Sequence, residues 1–186
     1  GWALTEGEYS KISLSDSDLS RIFASIFSSS SKNTTSYKFG FIKSLLDNLY
    51  NVDSSLCLSF DTVFSTFAES YWNLILKYNL NQQSGKNAKI TTTLKGLFDS
   101  FGYDEVIPFE SLSNEQKLQI IKAVKVECSK YVVGALYDDS SRSMYSFSKK
   151  AKVIQFNPTV YKYMCTNKVM LEKVNYFEWS RFLEKV

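Results

Sequence analysis

Along residues 58–78 the apolar positions fall at steps of three and four: Phe60, Val63, Phe64, Phe67, Tyr71, Leu74, Ile75 and Tyr78. That spacing places them on one face of an α-helix of about twenty residues. Ser59 stands just before the run, where its hydroxyl can accept an N–H of the first turn. Asp61 suits the positive end of the helix dipole. Each aromatic ring of such a stripe buries roughly 150–250 Å², so several other elements must pack around this helix. The pattern predicts a mainly α fold (α+β), a multi-helix bundle around a central aromatic-rich helix.

The other periodic segments fill in that bundle. Ser15-Asp-Ser-Asp18 resembles a capping box and opens a short helix with Leu19, Ile22, Phe23, Ile26 and Phe27 on one face. Residues 28–33 form a polar loop. A second helix carries Phe41, Ile42, Leu45, Leu46 and Leu49, with Lys38 and Lys43 off its apolar stripe. Residues 79–87 read as a long loop. Ile90, Leu94, Leu97, Phe98 and Phe101 then predict a helix that stops at Gly102. Ser113-Asn-Glu-Gln116 is a capping box for a helix turning Leu118, Ile121, Val124 and Cys128 inward. From Tyr131 the texture changes. Residues 132–137, 144–148 and 153–156 read as strands, which predicts a small antiparallel hairpin or sheet within 132–156. Pro158 restarts helix, and Asn175-Tyr-Phe-Glu178 reads as the cap of a last helix with Trp179, Phe182, Leu183 and Val186 on its stripe. The expected organisation is a loose lead-in over 1–14 and a single helical domain over 15–186 that carries the hairpin as an insertion.

Composition narrows the classes. A chain of 186 residues with 44% hydrophobic and 16% aromatic content has the size and apolar content of one packed domain. No apolar run approaches the eighteen or so residues of a membrane span, and no signal peptide is recognisable. Cys57, Cys128 and Cys165 are an odd number, far apart, and read as reduced thiols of a cytoplasmic protein. There is no histidine, which removes the usual general base and the commonest metal ligand. The chain opens at Gly1 rather than methionine and stops inside an amphipathic pattern at Val186, as expected of a piece of a longer protein. The net charge of +3 is uneven: residues 141–186 hold nine basic and three acidic groups, a local net of +6. A polyanion is the partner such a segment suggests, and an ordinary solvated surface is the alternative.

Three constellations bear on chemistry. Asp104 followed by Glu115-Gln-Lys117 imitates a carboxylate–lysine nuclease site. Glu115 and Lys117 fall in one helical turn and point to different sides, so Glu115 is better read as a dipole partner. The helix start at Asn33–Tyr37, with Thr34, Thr35 and Ser36 between Lys32 and Lys38, suits a phosphate or simple capping. Lys149, Lys150 and Lys152 beside Tyr145 and Phe147, with Arg142 at the preceding turn, suit a nucleic-acid backbone. Lysines on an edge strand also block aggregation.

Several blocks resemble a group of bacterial HNH endonucleases. They are Asn33-Thr-Thr-Ser-Tyr-Lys-Phe39 leading into Lys43-Ser-Leu-Leu-Asp47, then Phe67-Ala-Glu-Ser-Tyr-Trp-Asn73 and Val132-Val-Gly-Ala-Leu-Tyr-Asp138. Tyr145-Ser-Phe147 and Tyr176-Phe-Glu-Trp-Ser-Arg-Phe-Leu-Glu-Lys185 complete the set, and their order and spacing carry the likeness from about residue 19 onward. The resemblance implies a non-catalytic N-terminal domain that binds or positions DNA, in a restriction or phage-defence setting. The nuclease segment would follow the last helix and would hold the divalent metal, so no cofactor and no catalytic residue is expected in this chain. DNA and the C-terminal HNH domain are the implied partners, with no membrane. A protein-interaction or scaffold domain without nucleic-acid contacts is the alternative. A basic stripe from the second helix to the hairpin favours the first reading, and an exposed aromatic patch around 176–179 favours the second.

Overall fold

A computed structural model describes residues 6–28, 36–77 and 89–184. Within them the chain is mainly helical, with one four-stranded antiparallel sheet and a buried aromatic cluster. The helices are α1 (Asp16–Ser28), α2 (Tyr37–Asp47), α3 (Phe60–Trp72), α4 (Lys89–Phe101), α5 (Asn114–Asp139), α6 (Pro158–Thr166) and α7 (Lys168–Glu184). The strands are β1 (Glu6–Gly7), β2 (Cys57–Ser59), β3 (Tyr145–Ser148) and β4 (Val153–Phe156), in the spatial order β1-β3-β4-β2.

The predicted central helix is α3, prolonged by a π-helical turn over Asn73–Lys77. Ser59 Oγ accepts the Thr62 N–H at 3.1 Å, the expected cap. Phe60, Val63, Phe64, Phe67, Tyr71 and Ile75 are all buried. Phe67 stacks on Tyr71 with ring centroids 4.5 Å apart, and α2 and α5 both pack along α3 and touch each other. The capping boxes at Ser15–Asp18 and Ser113–Gln116 form in both directions. Gly102, at φ +75°, ends α4 in the left-handed region that glycine enters without penalty.

Four expectations are corrected. Residues 132–137 are not a strand. They continue α5, and Val132, Val133, Leu136 and Tyr137 are buried at steps of one, three and four, the period of a helix. Their β-branched character suggested a strand, but packing against α3 and α2 overrides that propensity. Leu118 is 65% exposed, and Ile120 takes the inward position. Asn175 caps no helix; it lies inside α7, whose start is set by Asn167, the carbonyl acceptor for the Leu171 N–H at 2.9 Å. Within the expected loose lead-in, Glu6 and Gly7 pair with Ser148 and Phe147, and Ser10 N donates to the Arg142 carbonyl. Extended segments of two or three residues, such as β1 and β2, carry no periodicity to detect. Tyr78, the loop 79–87 and Val186 lie outside the described residues.

Candidate nucleic-acid interface

The turn between β3 and β4 positions the hairpin lysines. Ala151 N donates to Ser148 Oγ at 3.0 Å, and Lys152 takes a left-handed backbone, φ +56°. That conformation is disfavoured for a residue with a Cβ. It is held because the Lys152 carbonyl accepts the Phe60 N–H at 2.9 Å, fastening the turn to the first turn of α3. The Lys152 side chain consequently lines a surface groove of about 780 Å³ between α3 and α5. Lys122 and Lys125 of α5 line it too, opposite Thr62, Ser65 and Thr66 of α3, with Asn48 beyond. Lys125 is bound to Asp61 at 2.5 Å, so one of the three ammonium groups already has a carboxylate. Lys122, Lys150 and Lys152 are exposed. Lys149 donates to the Lys130 carbonyl at 3.0 Å, and burial lowers its pKa.

The other sequence candidates do not join this group. Lys32, Asn33, Thr34 and Thr35 lie outside the described residues. Lys38, expected off the apolar stripe, is only 7% exposed. Its Nζ donates to the Ile26 carbonyl at 2.7 Å and stands 3.8 Å from Asp139. Burial lowers the Lys38 pKa and raises that of Asp139, each opposed by the other's charge. Lys38 ties α1 to the C-terminal end of α5 and is withdrawn from a phosphate contact. The reason lies in α2, which is enclosed on nearly every side, so a position opposite its stripe still faces protein. Arg142, at the far end of β3 from the turn, binds Asp138 at 3.2 Å and covers the Tyr137 ring. The continuous stripe from the start of α2 to the hairpin does not form among the described residues.

Sequence reasoning missed Lys122, Lys125 and the hydroxyl row Thr62, Ser65, Thr66. Both signals are present: lysines three apart on α5, and hydroxyls three and four apart on the side of α3 away from its aromatic stripe. Around 176–179 the structure divides the expected aromatic patch, with Tyr176 and Phe177 exposed and Trp179 buried. Glu115 lies in the first turn of α5, while Lys117 Nζ sits 6.0 Å from the Phe109 ring centroid. Among the described residues no group of three His, Cys, Asp or Glu side chains is placed to hold a metal ion, and no helix is long and apolar enough to cross a membrane.

No family model, no curated protein and no solved structure matches the chain.

Proposed function

We propose that this chain is a non-catalytic, DNA-positioning domain of an HNH-type, metal-dependent endonuclease, with restriction or phage defence as its setting. One observation carries the DNA contact: Lys122, Lys125 and Lys152 converge on a single groove faced by three hydroxyls. Lysines supply point charges for phosphate oxygens, and hydroxyls donate to the same atoms, so such a groove holds a backbone without reading bases. Lys150 extends the charge along the turn. The nuclease domain would be the second partner, and it would hold the divalent metal with its own residues. Asp61 limits the attraction, and DNA binding is accordingly weak and salt-sensitive.

The test is fluorescence anisotropy with a labelled duplex across a salt series. Replacing Lys122, Lys150 and Lys152 together by glutamine leaves the packed Lys125 and Lys149 in place. It is expected to weaken binding to unrelated duplexes equally and to flatten the salt dependence by about one unit of slope for each lysine–phosphate pair removed. Arg142→Gln, already engaged by Asp138, leaves both quantities unchanged. Identical affinity and slope for parent and triple variant would remove the DNA reading and leave the protein-interaction one.

A further inference from the structure

The fold fixes the direction of a hydroxyl in the lysine groove. Asn48, directly after α2, is 4% exposed and lines that groove. Its Nδ2 donates to the Ser44 carbonyl at 2.7 Å and to Thr66 Oγ1 at 2.9 Å. Its Oδ1 accepts from Asn51 Nδ2 at 2.9 Å. A carbonyl only accepts, so the Ser44 carbonyl decides which amide atom faces it. Turning the amide over would set two oxygens against each other. Both amide hydrogens of Asn48 are thus engaged, one of them by Thr66.

The consequence falls on Thr66. A hydroxyl has one hydrogen and two lone pairs. Thr66 Oγ1 accepts the Asn48 N–H, so its own hydrogen is turned elsewhere, and it meets no acceptor among the described residues. Thr66 is partly exposed, and a ligand in the groove can take that hydrogen. Thr62 differs, because its hydroxyl is already paired with Ser59 Oγ at 2.9 Å. Thr66 also lines a neighbouring groove against α7, where Lys43 and Lys173 are offset by Asp47, Glu69 and Glu172. On the other side Lys122, Lys125 and Lys152 outnumber Asp61. An anion is therefore drawn to Thr66 from the lysine side.

We propose that Thr66 donates to a phosphate oxygen of the DNA backbone, and that Asn48 is the positioning residue that keeps it a donor. The inference rests on the DNA reading above and gives that groove a fixed point. Lysine ammonium groups swing on long stems, whereas this hydroxyl is set before the backbone arrives. Being neutral, it adds affinity without adding to the salt dependence.

The experiment measures duplex anisotropy across the salt series for Thr66→Val, Thr66→Ser, Asn48→Ala and the double variant Asn48→Ala with Thr66→Val. Valine keeps the shape of threonine without the hydroxyl, and affinity is expected to fall about five- to tenfold with the salt slope unchanged. Thr66→Ser keeps the donor and should bind like the parent. Asn48→Ala should weaken binding in the parent and have no further effect once Thr66 is valine. A general loosening of the fold would instead add the two losses. Thermal melts check that each variant is folded at the assay temperature, and if Asn48→Ala is not, the valine and serine variants decide alone. Affinity that falls with the three lysines but ignores Thr66→Val would overturn this inference and leave the DNA reading standing. Equal losses for valine and serine would do the same. A parent that does not bind duplex, or binds it without the lysines, would overturn both.

Discussion

Phe67→Ala is expected to lower the unfolding free energy by about 3–5 kcal/mol, as other buried Phe truncations do. Phe67 is fully buried at the middle of α3. Its ring touches Tyr71 at 4.5 Å, Phe64 at 5.5 Å and Tyr37 at 6.3 Å between centroids. Those neighbours are themselves held in place, Tyr71 by a 2.7 Å hydrogen bond with Ser36 Oγ and Phe64 by stacking on Phe41. The space left by the ring therefore stays open, and the high end of the range applies. Thermal denaturation should show a fall of roughly ten degrees or more in Tm. A change of one or two degrees would mean that Phe67 is not at the centre of the core.

Gly40→Ala is the second large effect, and here two terms compete. Alanine is the better helix former by about 1 kcal/mol. A Cβ at Gly40, however, would overlap the Tyr71 ring and stand 3.0 Å from its hydroxyl. Tyr71 has no room to retreat, with Phe67 stacked on one face and Trp179 at 5.8 Å. Overpacking of this kind costs about 1–3 kcal/mol, and the absence of slack around a fully buried tyrosine puts this site at the upper end. The net is a clear loss of stability. Gly96 in α4 is the control: nothing lies within 4 Å of an added Cβ there. Gly96→Ala should accordingly raise stability by up to about 1 kcal/mol. Chemical denaturation of the pair checks both signs at once.

The periodic helices were legible because burial on one face writes a period into the chain. Phe60 to Ile75 and Leu19 to Phe27 are such cases, and their capping residues mark the starts. Residues 132–137 were not, since a short apolar run rich in valine has the same appearance in a strand as in a helix closed in by neighbours. Lys38 shows a second limit. Its depth depends on what α1 and α5 bring to the far side of α2, and no local pattern reports that. Half of the lysine groove was visible as charge on the hairpin. The other half sits on α5, and tertiary contacts bring the two together: the bond from Phe60 N to the Lys152 carbonyl, the pairing of β2 with β4 and the bond from Lys149 Nζ to the Lys130 carbonyl. Asn175 was misread for a related reason: an asparagine before two aromatic residues looks like a cap, and its place inside α7 depends on the Phe39 carbonyl that α2 brings to it.

Amide chemical-shift mapping with an unlabelled duplex at low salt tests the DNA interface most directly. Shifts are expected at 62–66, 122–126 and 149–152, fading together as salt is raised. Shifts confined to 172–183, or none anywhere, would contradict it.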